Sequence, residues 1–235
     1  MKNSSVLDSH MKTAPPASLV RRKAPRQARS AVTVDAIFEA CIQVLLSHGS
    51  ARLNTTRVAL RAGVSVGTLY QYFPNKQALL FAVLERHLEM IVSAVEAACR
   101  DHRGAPAEAM AEAVVKAYLE AKTEQSEVSS ALYLIAVEYD GREPIEAATR
   151  RGEEAIAAML STASDGHFDD PHVVAQTLLA AIHGAVRAFY ERDRPPAIGG
   201  EVEKQLTLMC CSYLVAAREG ERRAARSQAG QGRVC

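Results

Sequence analysis

The sequence predicts an all-α fold, and three observations carry that expectation. Ala is abundant while strand-favouring runs are scarce, with aromatics at 5% and no Trp. Apolar residues recur at helical spacing along most of the chain. Gly-, Pro- and Asp-rich breaks divide it into segments of ordinary helix length. A hydrophobic content of 48% against 23% charged residues supports a packed core, and 235 residues fit one large domain or a small one joined to a larger one.

Residues 1–30 read as a disordered basic arm, with Pro15, Pro16, Pro25 and the run "RRKAPRQAR". That run alone is equally a solvated tail or a nucleic-acid contact. The segment "MKNSSVLDSHMKTAPPASLV" lacks the apolar stretch of a secretory signal. Met11 is a second candidate start, which leaves open whether residues 1–10 are native. The longest uninterrupted apolar runs fall far below the roughly 18 residues a membrane span requires. Cys41, Cys99, Cys210, Cys211 and Cys235 are odd in number and show no framework spacing. A reduced cytoplasmic location with no membrane partner is therefore expected. Charge is unevenly divided. Residues 1–76 hold eleven Lys or Arg and three Asp or Glu, a net +8, and residues 77–235 hold seventeen and twenty-four, a net −7. The N-terminal piece is the one suited to a polyanion.

The first helix is predicted over Ala31–Ser47, where Val34, Ile37, Phe38, Cys41, Ile42 and Leu45 form one apolar face and Gly49 ends it. Asn54 or Thr55 caps a short second helix carrying Val58, Ala59 and Ala62, which Gly63 stops. Ser65 caps a third helix, about Val66 to Phe73. Pro74 breaks it, and Asn75 caps a long fourth helix from about Lys76 to Arg100. Later breaks fall at residues 103–106, near Glu124, and at 140–144, 165–171 and 194–200, with Asp170–Pro171 as an N-cap followed by Pro at the first helical position. The tail after Arg218 is polar and predicted to be flexible.

Two short helices joined by a Gly-containing turn make a helix-turn-helix. Ala59 is small enough for close approach, Gly63 suits the turn, and Val64, Leu69, Val58 and Phe73 fill the space beneath. That leaves Ser65, Val66, Gly67, Thr68, Tyr70, Gln71 and Tyr72 at the start and outer face of the third helix. In such motifs this helix meets base edges in the major groove. Gly67 lets the backbone come close. Val66 and the Thr68 methyl suit thymine methyls, and the Thr68 hydroxyl and Gln71 amide suit base edges. Tyr70, Tyr72 and Lys76 carry donors for phosphate, as do Asn54, Thr55 and Thr56 at the start of the preceding helix. Helix-turn-helix corners also occur in proteins that never meet DNA, and the adjoining basic arm favours the DNA reading.

The stretch "LNTTRVALRAGVSVGTLYQYFPNKQALL" carries an Ala-Gly-Val-Ser turn, a Gly-Thr-Leu-Tyr helix and a Tyr-Phe-Pro-x-Lys exit. At these residues, from about Val32 to Leu80, the chain resembles the TetR family of bacterial transcriptional regulators. The resemblance implies that Tyr70 and Lys76 are phosphate clamps and that Ser65, Val66, Gly67, Thr68 and Gln71 hold recognition-helix positions. Val66 stands where the family often has Lys, so that contact is absent, and the long basic arm is the candidate to compensate.

The resemblance also implies that residues 77–218 form a helical domain that dimerises and binds an effector. The segments Pro171–Arg192 and Glu201–Arg218 are long and apolar. Val174, Leu178, Ala181, Ile182 and Ala185 line one, and Val202, Leu206, Met209, Cys210 and Tyr213 line the other. They form either a four-helix dimer interface or intramolecular core. Tyr118, Tyr133, Tyr139, Met159, His183 and Phe189 are candidate effector-pocket residues, each equally explicable as core. Glu138 is read as exposed. "HFDDPH" at 167–172 has no recognised metal spacing and is read as a capping loop, so no metal or cofactor is expected. Adjacent Cys210 and Cys211 point to different helix faces, which favours packing over oxidant sensing.

The resulting expectation is a homodimeric, ligand-responsive repressor acting on a near-palindromic double-stranded operator and released by a small-molecule effector. A helical adaptor and an activator of the same fold are the alternatives. No nucleophile–base pair, phosphate loop or metal pattern supports an enzyme. The effector, the operator and the regulated genes are not legible.

Overall fold

The computed structural model describes residues 28–138, 142–190 and 200–231. Nine α-helices and no strand occur among them: α1 Ala28–Arg52, α2 Thr55–Arg61, α3 Val66–Tyr72, α4 Lys76–Asp101, α5 Ala107–Thr123, α6 Ser126–Glu138, α7 Arg142–Leu160, α8 Pro171–Tyr190 and α9 Glu201–Gln231. Most of the expected basic arm lies outside the described residues, as does Tyr139.

Helix α1 runs three residues further at its start than the periodicity indicated. Helical geometry breaks at Gly49, with φ 73° and ψ 169°, before a last short turn to Arg52. Ser30–Arg52 has the length and mean hydropathy, 1.5, of a membrane span. Its apolar face is instead committed to a protein core: Val34, Ile37, Cys41 and Val44 are buried. At the other end of the chain, α9 continues through Arg218 to Gln231, across the segment expected to be a flexible tail.

Two apolar clusters organise the helices. The first joins α1, α2, α3 and the first turns of α4 through Ile37, Phe38, Val58, Leu69, Phe73 and Leu80. Helix α6, far along the chain, belongs to it as well, through Val128, Leu132, Ile135 and Ala136. The second joins the remainder of α4 to α5, α7, α8 and α9. Gly152 lets α7 lie close to α8, because a Cβ there would sit 3.2 Å from Leu179 Cδ2. Helix α4 is thus continuous between the two clusters, and α6 bridges them from the side.

The loop after α7 ties the second cluster together. Asp165 accepts the Ala107 N–H at 3.0 Å, which supplies the cap that Pro106 lacks at the start of α5. Arg218 of α9 donates to the same carboxylate and, at 3.2 Å, to the Asp165 carbonyl. Phe168 is buried beneath the loop, and Asp170 accepts the His172 and Val173 N–H groups at 3.1 Å each, capping α8 as the sequence indicated. On the surface, Arg151 of α7 binds Glu96 of α4 through two bonds of 3.0 Å and also engages Glu89.

Of the two readings left open for the apolar stripes of α8 and α9, the positions of most of their residues fit intramolecular core. Val174, Leu178 and Ile182 of α8, with Leu206 and Cys210 of α9, are intramolecular core, and Ala185, Val202 and Tyr213 pack against it. Of the expected α9 stripe only Met209 lies on an outer face, beside residues that belong to neither stripe. Val173 is 54% exposed, Leu208 60% and Met209 44%, and Ala180, Gly184 and Ala188 form an exposed small-residue stripe along α8.

Candidate nucleic-acid interface and apolar cavity

The helix-turn-helix is assembled by its caps. Asn54 Oδ1 accepts the Arg57 N–H at 2.9 Å and starts α2. The helix ends in a Schellman motif: Gly63, at φ 68°, donates to Leu60 O at 3.2 Å, and Val64 donates to Ala59 O at 3.0 Å. Ser65 then starts α3 by accepting the Thr68 N–H at 3.0 Å, and its Oγ lies 2.8 Å from Thr68 Oγ1. Ala59, Leu69 and Phe73 are fully buried beneath the turn. The Tyr70 hydroxyl lies 3.1 Å from Thr55 Oγ1, fastening α3 to the start of α2. Asn75 Oδ1 caps α4 through the Ala78 N–H at 2.8 Å.

The exposed surface of this unit is polar and basic. Ser65, Gly67, Tyr70 and Gln71 are exposed on α3, and Thr68 is half-buried. A Cβ at Gly67 would meet only Ser65 Oγ, at 3.7 Å, so the backbone there is open to close approach. Asn54, Thr56, Arg57 and Arg61 are exposed on and before α2. Lys76 Nζ donates to Ser50 O at 2.6 Å, bracing the turn that follows Gly49.

A second feature lies in the body. A cavity of about 310 Å³ opens between α4, α5, α6, α7 and α8. Its wall is mostly aliphatic, from Leu84, Ile91, Leu132, Ile145, Leu179 and Val186 among others. The polar lining includes His87, Tyr118, Lys122, Ser129, Tyr133, His183 and Arg187. The Ser129 hydroxyl donates to Lys122 O at 3.0 Å, so its contact of 3.0 Å with His87 Nε2 is one in which the imidazole donates. His87 is thereby fixed as the neutral Nε2–H tautomer. Burial, reinforced by the nearby Lys122 charge, lowers the pKa of both His87 and His183 to about 4. Burial likewise lowers Lys122 to about 8. The His183 ring packs on Tyr118 with centroids 5.1 Å apart.

The chain matches two family models in tandem. Residues 37–83 match the bacterial regulatory proteins of the tetR family, and residues 106–214 match the tetracyclin repressor-like C-terminal domain. It is also 30% identical over 165 residues to the HTH-type transcriptional activator FasR of Mycolicibacterium smegmatis, across 66% of this chain and 71% of that protein.

The chain belongs to the TetR family of bacterial regulators.

The transcriptional repressor KstR of Rhodococcus jostii is 42% identical over 57 residues, 24% of this chain and 27% of that one. Among solved structures, the SmeT repressor of the Stenotrophomonas maltophilia efflux pump SmeDEF superposes with a TM-score of 0.55 at 22% identity, covering 79% of this chain and 91% of that one. The fatty acid degradation regulator FadR of Bacillus halodurans gives 0.55 at 18%, covering 83% and 97%. At such identities these structures establish the shared fold. The TetR family is one of transcriptional regulators that bind DNA through the N-terminal helix-turn-helix, and not a class of enzymes.

Several residues read from the sequence stand elsewhere in this TetR-family chain. Tyr72 is not on the outer face of α3: its ring is buried against Phe73, with centroids 6.4 Å apart. Val66 is half-buried against the first cluster rather than displayed. Thr55 is buried, with its hydroxyl on Tyr70. Of the candidate pocket residues, Tyr118, Tyr133 and His183 line the cavity. Met159 and Phe189 do not. Met159 lies two turns beyond Gly152, the last α7 residue in the lining, and is buried in core. Phe189 sits about 100° around α8 from the lining stripe of Leu179, His183 and Val186. Glu138 is exposed, as read.

The sequence reading passed over Arg57, Arg61, Lys122 and His87. The two arginines had a signal, since "TTRVALR" places them one turn apart on the exposed side of α2. Lys122 and His87 had none, because each resembles an ordinary polar residue until tertiary packing encloses it. Cys41, Cys99 and Cys210 are buried thiols whose pKa burial pushes up to about 12, which suits packing rather than oxidant sensing.

The two depressed imidazoles set an acid limit. Their folded pKa lies below the ordinary 6.5, so the unfolded chain binds more protons between pH 6.5 and about 4. Stability present above pH 6.5 is lost as pH falls through that window, by at most about 3 kcal/mol for each imidazole. Urea unfolding at pH 7 and pH 5 checks this. His183→Phe, which keeps the packing on Tyr118, is expected to flatten the pH dependence.

Proposed function

We propose that this TetR-family regulator is a homodimeric repressor that binds a near-palindromic operator in the cytoplasm and is released by a small molecule entering the cavity. The observation that carries the reading is the shape of α3. Ser65, Gly67 and Gln71 are exposed on one side, with Thr68 half-buried beside them, while Leu69, Tyr72 and Phe73 anchor the other. Such a helix can enter a major groove and present side chains to base edges.

The supporting surface suits phosphate. Asn54, Thr56 and Arg57 surround the start of α2, and Tyr70 is 41% exposed. Lys76 has one of its N–H donors on Ser50 and keeps the others available. Arg57→Ala is expected to weaken binding to every duplex and to lower the slope of log K against log salt by about one phosphate contact. Titrations at several salt concentrations measure that slope.

Dimerisation through the outer faces of α8 and α9 would cover Val173, Leu208 and Met209, and the small stripe of Ala180, Gly184 and Ala188 would let two helices approach closely. Ligand response has a route. Helix α4 begins at the helix-turn-helix and contributes Leu84, His87, Leu88 and Ile91 to the cavity wall. Leu132 and Ala136 of α6 line the same cavity and pack in the first cluster. A molecule that favours one arrangement of α4 and α6 shifts the spacing of the two recognition helices, and DNA and ligand then weaken each other by the same factor.

Sedimentation of the full chain with a duplex operator tests the reading. Two chains per duplex are expected, and a single bound chain would overturn the dimer. An activator of the same architecture is the second reading, favoured by the name of the FasR relative.

A further inference from the structure

We infer that the cavity is built for a small uncharged molecule, a compact apolar body bearing one hydroxyl that donates to the His183 imidazole. This rests on the reading of the cavity as the effector site and narrows its chemistry.

Most polar groups on the wall are already committed. His87 and Ser129 are bonded to one another, and Ser129 also to Lys122 O. Tyr118, Lys122, Tyr133 and Arg187 are engaged in interactions of their own. His183 of α8 and Thr149 of α7 are the two polar lining residues whose side chains make no hydrogen bond among the described residues. Both stand within about one turn of the same helix contact, that of Gly152 with Leu179. Of the two, His183 is the anchor, because its ring is already held by packing on Tyr118 with centroids 5.1 Å apart.

The chemistry of that ring selects the head group. Burial keeps His183 neutral at pH 7, with a pKa of about 4. A neutral imidazole has one donor and one acceptor nitrogen. Neither is bonded elsewhere among the described residues, so the ring can take the tautomer that accepts from a guest hydroxyl. A charged head would leave water for an apolar surround in which this imidazole supplies no counter-charge. A carboxylate would pair with Lys122 or Arg187 only in competition with the interactions they already make. The remaining wall is aliphatic and rewards an apolar body. At about 30 Å³ for each water-sized group, about 310 Å³ holds roughly ten non-hydrogen atoms, the size of para-propylphenol.

Calorimetric titration of the full chain at pH 7 with para-propylphenol, para-propylanisole and para-propylbenzoate tests the proposal. The phenol is uncharged there, since its hydroxyl titrates near about 10. It is expected to bind about tenfold or more tightly than its methyl ether, which has no proton to donate, and than the benzoate, which carries a charge. His183→Phe keeps a ring on Tyr118 and is expected to erase the difference between phenol and ether, with binding of the ether showing that the cavity is intact. The ether or the benzoate binding the unaltered chain as tightly as the phenol would overturn the hydroxyl assignment and leave the cavity an effector site. A preference for the phenol that survives in His183→Phe would do the same. Binding of none of the three would overturn the assignment and the effector reading together.

Discussion

Phe73→Ala is expected to cost about 3–5 kcal/mol of stability and to abolish DNA binding, although Phe73 is fully buried and offers nothing to DNA. Its ring packs on Phe38 of α1 with centroids 5.6 Å apart and lies beside Tyr72. It closes α3 with an N–H bond to Leu69 O at 2.9 Å, just before Pro74 redirects the chain into α4. Removing the ring leaves a cavity where α1, α3 and α4 meet and takes away one of the three side chains, with Leu69 and Tyr72, that hold the short α3 to the core. Chemical unfolding and a duplex-binding titration on the same preparation measure the two effects. Leu60→Ala is the control: Leu60 is 81% exposed, and its loss is expected to change stability by no more than about 0.5 kcal/mol.

Gln71→Ala is expected to relax base preference at one operator position by about 1–3 kcal/mol while leaving binding to unrelated duplex unchanged. Gln71 is exposed on α3, and on the proposed reading its truncation removes only a base-edge contact. Thr68→Ala is expected to relax a neighbouring position, with a small added loss from its contact to Ser65 Oγ at 2.8 Å. Ser65→Ala provides the contrast. It removes the N-cap of α3, worth about 0.5–2 kcal/mol, and so weakens all sequences by destabilising the helix. A panel of single-base operator variants separates these behaviours, since a change in preference and a uniform loss have different signatures. Equal losses on every sequence for all three substitutions would show that α3 is not sorted into reading and capping residues.

What could be read in advance depended on whether the signal was local. Caps are local, so Asn54, Ser65, Asn75 and Asp170 were legible, and so was the turn at Gly63. Burial on a short helix is less so. Tyr72 follows Leu69 by three residues and precedes Phe73, and its amphipathic ring gives no indication of which side it takes. Only the packing of α3 decides that it is core. On α8 the strongest apolar stripe was the visible one, and it serves the monomer's own core. The outer face, of Ala180, Gly184 and Ala188 with Val173, is too weakly apolar to announce itself. The cavity was least legible. Lys122 is a basic residue in the last turn of α5, an unremarked place for one. Its significance appears only when α4, α6 and α8 close around it.

The central claim is that the exposed side of α3 reads duplex DNA as one half of a two-fold pair. Selection of bound fragments from random duplex DNA by the full chain tests it most directly. The account predicts a two-fold symmetric site whose half-site centres lie about 34–36 Å apart. Enrichment of an asymmetric single site, or of no sequence at any salt concentration, would contradict it.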